Sequence, residues 1–286
     1  MVYCKKLINL AKFIVHILQK LRLYKNGGPM NYFLVIVFLY FIGCVLGWCL
    51  EVVYRRFSPA NKERKWINPG FLVGPYLPLY GFGLCTLFFL ARLEQFINLG
   101  SNFANKAVLF IVMAISMTVL ELIAGLIFIQ GMNVKLWDYS KEWLNYKGII
   151  CPKFSLFWAL LGAFYYFAID SDILSALAWF KNNLAFSFIL GIFIGCHFID
   201  FCYSTHIVVK IKKYAEEYNI KVKYEELKNL INLENIKNHE RKHFFFSFNS
   251  DVSLSDHLKK YADLTIAFIQ KPELKLKDSL KNKKNK

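Results

Sequence analysis

Long apolar runs separated by short basic segments dominate the pattern of this 286-residue chain. A membrane-spanning helix needs ~20 mostly apolar residues, because each residue rises about 1.5 Å across a hydrocarbon layer of ~30 Å. Five stretches meet or approach that length: 32–53, 76–91, 107–129, 152–169 and 184–208. The second reaches it only if the Gly/Pro-rich segment before it also enters the membrane. Because a helix satisfies its own backbone hydrogen bonds in lipid, residues 31–208 are predicted to form an all-α, polytopic membrane helix bundle with about five transmembrane helices.

Positive charge is concentrated in three of the segments between and after these runs. Lysine and arginine accumulate on the cytoplasmic side of membrane proteins, so these segments and the C-terminus are predicted to be cytoplasmic: Arg55, Arg56, Lys62, Arg64 and Lys65; Lys135, Lys141, Lys147 and Lys153; Lys210, Lys212 and Lys213. This bias also explains the formal net charge of +16. With no nucleic-acid-binding motif beside it, the charge indicates a multi-pass protein of the cell membrane whose partner is the lipid bilayer, not nucleic acid.

The N-terminal segment, residues 1–30, is basic, although five helices would place it outside the cell. Three interpretations stay open. Residues 7–23 are amphipathic and interrupted by Lys12, which favours an interfacial helix. The same residues could form a sixth, marginal crossing. Alternatively, translation begins at Met30, since Gly27-Gly28 can be encoded by a purine-rich run that resembles a bacterial ribosome-binding site.

Residues 209–286 form a second, basic region that we expect to be a helical cytoplasmic tail. Residues 212–230 mix lysine and glutamate at helical spacing, which predicts a solvated helix. A further helix is predicted by an apolar stripe with helical period: Leu254, Leu258, Tyr261, Leu264 and Phe268. Packing of this stripe on the rest of the tail or on the bilayer is preferred to binding of a partner helix.

Four polar side chains within the apolar runs are candidates for a substrate or ion pathway: Glu51, Glu121, His197 and Asp200. An ionised group at the centre of a membrane helix costs about 2.5–3.5 kcal/mol, so each of them requires an explanation. Structural roles are the alternative. Glu51 has Arg55 one turn later as a partner, and His197 lies three residues before Asp200 on the same helix face, within reach of a hydrogen bond. The predicted topology brings all four toward the cytoplasmic half of the bundle.

Irregular backbone is predicted where the second apolar run begins. Residues 66–83 contain four glycines and three prolines, which a regular helix does not accommodate. Such backbone is tolerated at membrane depth only where it is buried in protein or lines a cavity, and interrupted segments often mark the binding sites of transporters. A re-entrant cap or a closely packed helix seam explains the composition equally well.

Two ordered blocks of residues within about 40–165 carry a resemblance to a known family. The first block comprises Gly47, Trp48, Glu51, Asn68, Gly70, Phe71, Leu72, Gly74, Pro75, Pro78, Tyr80, Gly81 and Gly83. The second comprises Glu121, Gly125, Trp137, Asp138, Tyr139, Ser140, Asn145, Gly148, Cys151 and Ser155. Together they resemble the bacterial ABC-transporter type IV family of ABC transporter permeases. The chain departs from that family at Pro69, where arginine usually follows the asparagine.

The resemblance implies a permease subunit for a substrate that the sequence does not identify. The chain has no G-x-x-x-x-G-K-[ST] phosphate loop, so such a permease requires a separate ATP-binding subunit, and a homo-oligomer stays open. Two alternatives remain: a membrane scaffold or sensor acting through its tail and, less favoured, a membrane-embedded enzyme. No H-E-x-x-H, G-x-S-x-G or C-x-x-C motif is present, so no catalytic residue, cofactor or metal site is predicted.

Overall fold

A computed structural model describes residues 32–59, 61–94, 97, 100–237 and 252–266. The predictions for the N-terminal segment 1–30, for Phe268 and for the end of the tail therefore lie outside the described residues. Within them the fold is helical and contains one pair of two-residue strands. This arrangement confirms the predicted all-α class.

Eight α-helices and two strands follow one another along the described chain. The helices are α1 (Tyr32–Phe57), α2 (Pro78–Leu93), α3 (Asn102–Gly125), α4 (Pro152–Phe164), α5 (Asp170–Asn182), α6 (Ser187–Glu217), α7 (Tyr224–Lys237) and α8 (254–266). Single π turns continue α3 and join α4 to α5, at Leu126–Gln130 and Tyr165–Ile169. Strands β1 (Val134–Lys135) and β2 (Val222–Lys223) pair in parallel, with Val134 opposite Val222.

Four continuous helical stretches are long and apolar enough to cross a membrane: Phe33–Phe57, Asn102–Gln130, Pro152–Asn182 and Leu184–Glu217. Helix α2 is a fifth apolar helix, but its 16 residues rise only about 24 Å, which is short of the ~30 Å hydrocarbon layer. The predicted second span is thus the short one, as its sequence indicated. Two stretches continue beyond their predicted ends at 169 and 208, because the π turn at Tyr165–Ile169 leads directly into α5 and α6 is unbroken.

The tail does not contain the single solvated helix predicted over residues 212–230, and that prediction was wrong. Helix α6 ends at Glu217, Asn219 takes a left-handed backbone conformation (φ +48°), and β2 follows before α7 begins. One face of α7 is also buried, not solvated. That face consists of Tyr224, Leu227, Lys228 and Ile231.

The chain divides into two compact units. The first contains the described parts of residues 1–47, together with 78–120 and 154–195. Within it α1 and α2 pack closely, since a Cβ atom at Gly47 would overlap the ring of Tyr80 and one at Gly81 would overlap Cys44. Small residues at such positions allow helix backbones to approach each other. Its aromatic and aliphatic core includes Phe38, Leu39, Phe88, Met113, Trp158, Tyr165 and Phe180.

An ion pair joins α2 to α5 within this unit. Arg92 donates from two guanidinium nitrogens to the two carboxylate oxygens of Asp170 (2.9 and 2.6 Å), and the Tyr165 hydroxyl donates a further bond (2.8 Å). A bidentate arginine–carboxylate pair is among the stronger hydrogen-bonded contacts, so the pair fixes α5 against α2.

We expect Asp170→Asn to lower the free energy of unfolding by about 1–2 kcal/mol, because Arg92 loses its charged partner and one acceptor oxygen. Asp172→Asn is the matched control, since Asp172 is exposed on the same helix, and it should change stability by less than about 0.5 kcal/mol. Denaturant unfolding of the purified chain in detergent micelles measures both. Equal stability of the two variants would show that the ion pair contributes nothing.

The second unit contains residues 48–77 and 121–153 and the described part of 196–286. Its core joins the end of α6 to the two strands, α7 and α8, through Val134, Ile207, Val208, Ile211, Tyr214, Val222, Tyr224, Leu227, Ile231, Leu258 and Tyr261. The apolar stripe of α8 packs into this core, which confirms the preferred interpretation of that stripe, although Leu264 is exposed. The tail and the end of α6 therefore fold together.

Candidate functional site

Residues 66–77, which we call the Gly/Pro loop, form a non-helical segment before α2. Asn68 organises it from within. Its buried side chain donates through Nδ2 to the carbonyl oxygen of Val73 (2.8 Å), and its Oδ1 accepts from Nε1 of Trp48 in α1 (2.7 Å). Gly70 takes a left-handed conformation (φ +74°) that side chains disfavour. The loop therefore turns back on itself while Asn68 holds it to α1.

The carboxylate of Asp200 in α6 anchors the amide groups of this loop. It accepts hydrogen bonds from the backbone N–H of Val73 (3.0 Å to each oxygen) and of Gly74 (2.7 Å). The hydroxyls of Tyr76 (2.7 Å) and Ser204 (2.8 Å) donate to it as well. Asp200 is only 9 % exposed, and its two oxygens accept from two backbone N–H groups and two hydroxyls. The loop and α6 thus supply hydrogen-bond partners to a buried carboxylate.

His197 lies beside this anchor. Its ring centroid is 4.8 Å from that of Tyr76, whose hydroxyl donates to Asp200. Two of the four candidate residues therefore contact Tyr76. The spacing of His197 and Asp200 predicted one shared face of α6, but not this partner. Tyr76 itself was not among the candidates, although it belongs to the Gly/Pro-rich segment.

Lys228 of α7 holds the opposite, carbonyl side of the Gly/Pro loop. Its ammonium donates to the carbonyl oxygens of Gly70 (2.7 Å) and Asn68 (3.2 Å) and lies 4.9 Å from the ring centroid of Tyr224. The Tyr224 hydroxyl donates to the carbonyl of Phe71 (3.2 Å). Burial lowers the pKa of Lys228 to about 7, Arg55 adds to this effect, and Asp200 opposes it. A tail residue thus binds the same loop as Asp200.

Sequence reasoning missed Lys228, but the sequence contains a signal for it. Tyr224, Leu227 and Ile231 stand at positions i, i+3 and i+7, and Lys228 occupies i+4 of the same helical stripe. A lysine within an apolar stripe is either buried with partners or extends its ammonium to solvent. Here it is 6 % exposed, so the first possibility applies.

The predicted pairing of Glu51 with Arg55 is confirmed. Arg55 Nε donates to Glu51 Oε1 (2.9 Å), and its guanidinium also contacts the carboxylate of Glu225 in α7. Glu51 thus helps to orient Arg55, through which α7 contacts α1.

Glu121 belongs to a different contact. Its carboxylate is 3 % exposed and accepts from the hydroxyl of Tyr139 (2.9 Å). Tyr139 lies in the motif loop, a name we use for residues 136–151. A Cβ atom at Gly125 would overlap Ile149 of this loop, so the end of α3 and the motif loop pack in direct contact.

Internal hydrogen bonds give the motif loop its shape. Trp137 Nε1 donates to the carbonyl of Ile149 (2.8 Å), the Tyr139 amide to the carbonyl of Gly148 (2.9 Å), and the Gly148 amide to Oδ1 of Asn145 (3.0 Å). Gly148 is in the left-handed region (φ +70°). These residues carried the family resemblance, and the contacts explain why the loop needs them.

Asp138 links the motif loop to the tail. Its carboxylate accepts from the amide and hydroxyl of Ser140 and from Lys135 (3.1 Å), and Lys223 of β2 lies 3.8 Å away. Burial alone would raise the pKa of Asp138, but the bonds from Ser140 and Lys135 outweigh it, so the pKa is lowered.

The remaining motif residues adjoin these contacts. Pro75 follows Gly74 in the Gly/Pro loop. Pro78 is the first residue of α2, a position whose N–H would have no hydrogen-bond partner within the helix. Cys151 is buried directly before α4. Across the described ranges, no three His, Cys, Asp or Glu side chains are grouped as metal ligands.

All four candidate residues belong to the second unit, but they do not share one set of partners. Asp200 and His197 meet at Tyr76, Glu51 binds Arg55, and Glu121 binds Tyr139 of the motif loop. The largest group of contacts described here surrounds the Gly/Pro loop. The buried carboxylate of Asp200 binds its backbone N–H groups, and the buried ammonium of Lys228 binds its carbonyl groups.

Comparison with known protein families gives a match over most of the membrane domain. A family model described as Putative ABC-transporter type IV matches residues 38–205, which is more than half of the chain. No curated protein and no solved structure matches the chain. The matched region contains Asp200 and both loops, whereas α7 and Lys228 lie beyond it.

Proposed function

The chain belongs to that transporter family, and on this premise we propose that it is the membrane subunit of an ABC-type transporter whose ATP-binding subunit is a separate chain. Its four membrane-length apolar stretches support a role within the bilayer, and the missing phosphate-loop motif supports a separate ATPase. The observation that carries the proposal is the Gly/Pro loop, irregular backbone whose amides are bound by Asp200 of a membrane-length helix. Interrupted backbone of this kind is typical of transporter sites.

Glu121 is the group that we propose changes its protonation during transport. Its partner Tyr139 can donate to a carboxylate and can accept from a protonated carboxyl group, so their contact is compatible with both states. Asp200 differs, because the backbone N–H groups of Val73 and Gly74 can only donate and so need it as an acceptor. We assign positioning roles to Asp200, His197 and Glu51, and a pathway role to Glu121.

Isolation of the intact complex from its native membrane in mild detergent tests this function. We expect a stoichiometric second subunit that carries a phosphate loop, and ATP hydrolysis that is lost when the lysine of that loop is replaced. A complex that contains no ATPase, and a purified chain on which nucleotide has no effect, would contradict the proposal.

Glu121→Gln is expected to reduce ATP hydrolysis by the reconstituted complex about tenfold or more, within the range for loss of a general acid–base group. Its stability should stay within about 1 kcal/mol, because the amide oxygen still accepts from Tyr139. Glu217→Gln serves as the control, since Glu217 is exposed at the end of α6. Full activity of Glu121→Gln would assign Glu121 to helix packing.

A scaffold or sensor that acts through its tail is the second candidate. The observation in its favour is the direct binding of α7 to the Gly/Pro loop. A complex without ATPase whose Gly/Pro loop nevertheless responds to changes in α7 would favour this candidate over transport.

A further inference from the structure

Helix α7 binds the Gly/Pro loop at three carbonyl groups. Lys228 donates to those of Asn68 and Gly70, and the Tyr224 hydroxyl donates to that of Phe71. A further contact joins Glu225 of α7 to Arg55 of α1. These four polar contacts of α7 thus reach one stretch of the loop and the helix that precedes it, while its apolar face packs in the core of the second unit.

The two charges on the loop have opposite signs and bind opposite ends of its peptide groups. The Asp200 carboxylate binds N–H groups, and the Lys228 ammonium binds C=O groups. Peptide dipoles oriented in this way stabilise both charges at once, because each charge meets the complementary end of a dipole. Asp200 also acts on Lys228 directly as an opposite charge, which raises the pKa of Lys228 against the larger lowering by burial.

We propose that Lys228 is a positioning residue for the Gly/Pro loop and that α7 is a latch: the loop is held while Nζ of Lys228, as ammonium or as amine, donates to the carbonyls of Asn68 and Gly70, and withdrawal of α7 releases it. This inference goes beyond transport, since it concerns the backbone of the loop alone. It gives a segment outside the family match control over a loop inside that match.

Docking of α7 on the loop depends on pH, because it changes the pKa of Lys228. A lysine in water has a pKa near 10.5, whereas docked Lys228 has a pKa of about 7, so docking releases a proton between these values. The latch therefore strengthens as pH rises from about 7 and stays at its weaker level below it. The charges that act on Lys228 are those of Arg55 in α1 and Asp200 in α6, and the ring of Tyr224 lies beside its ammonium. Arg55 is in turn bound by Glu51 and Glu225, and Asp200 by Tyr76.

Hydrogen exchange of the full chain in detergent micelles or nanodiscs tests the latch. After correction for intrinsic rates, we expect Lys228→Met to exchange the amides of residues 66–77 about tenfold faster at pH 8, because it removes the hydrogen bonds to the carbonyls of Asn68 and Gly70. Tyr224→Phe, which keeps the buried ring, should give a smaller increase in the same amides. Lys259→Met is the control, because Lys259 is exposed on α8.

Dependence on pH separates a positioning role from a merely structural one. In the wild type, protection of the loop should rise by up to about tenfold per unit above pH 7, and Lys228→Met should abolish this rise. Unchanged loop exchange in both variants, an equal increase throughout α6, or a wild-type loop insensitive to pH would each overturn the proposal. No nucleotide enters these measurements, so failure to find an ATPase would leave the latch standing.

Discussion

Asp200→Asn is expected to lower the free energy of unfolding by about 3–5 kcal/mol, the range measured when one partner of a buried charged contact is removed. The carboxylate accepts from two backbone N–H groups and two hydroxyls in the structure. An asparagine has the same shape, but its NH₂ group would face donors in place of an acceptor. The ammonium of Lys228 would also lose the opposite charge that offsets its burial.

Two variants set the scale for this effect. Ser204→Ala removes one hydroxyl donor and leaves the charge in place, so about 1 kcal/mol is expected. Asp263→Asn, at an exposed position of α8, should have almost no effect. Denaturant unfolding in micelles gives the free energies, and proteolysis of the Gly/Pro loop shows where the structure opens. If Asp200→Asn were as stable as the wild type, Asp200 would not anchor the Gly/Pro loop, and it would again be a candidate for the ion pathway.

The spanning helices were predictable from the sequence because lipid imposes a simple rule on composition. Uninterrupted runs of ~20 apolar residues are characteristic of helices that cross a membrane, and all but one of the predicted spans correspond to membrane-length helices in the structure. The exception, α2, was recognisably short. The predicted ends at residues 169 and 208 were less accurate, because each helical stretch continues past its last apolar residues. Asp170 and Asp172 lie within α5, and Lys210 lies within α6.

Contacts between distant segments were only partly predictable. Pairing of Glu51 with Arg55 follows from helical spacing, and the grouping of His197 with Asp200 follows from one shared face. Two of the donors to Asp200 could not be foreseen, since they are backbone amides of a loop more than 100 residues earlier in the chain. Backbone groups leave no mark in a sequence, so a buried carboxylate with amide donors looks the same as one in an ion pathway.

The tail shows a different reason for failure. Alternating lysine and glutamate indicated a solvated helix, yet Lys228 is buried and β2 breaks the predicted helix. Two-residue strands such as β1 and β2 have no periodicity to detect, and their pairing depends on the tail returning to the motif loop. Charge alone was therefore a poor guide, and the apolar stripe that includes Lys228 was the better one.

Asn68→Asp is expected to lower the free energy of unfolding by about 3 kcal/mol or more at neutral pH, since it places an unpaired negative charge in a buried site. The native amide donates to the carbonyls of Val73 and Leu72 and accepts from Trp48. A carboxylate keeps the acceptor for Trp48 but turns a second oxygen toward carbonyl oxygens.

Acidification should partly restore the Asn68→Asp protein, which identifies the cause of its instability. A protonated carboxyl group has an O–H that can donate to the Val73 carbonyl, so the difference from wild type should shrink as pH falls. Trp48→Phe is the matched control: it removes one donor to Asn68, should cost about 1 kcal/mol, and should show no such recovery. Denaturant unfolding between pH 5 and pH 8 measures both variants. A deficit in Asn68→Asp that stays constant with pH would mean that charge is not the cause, and that the donor role assigned to Asn68 is wrong.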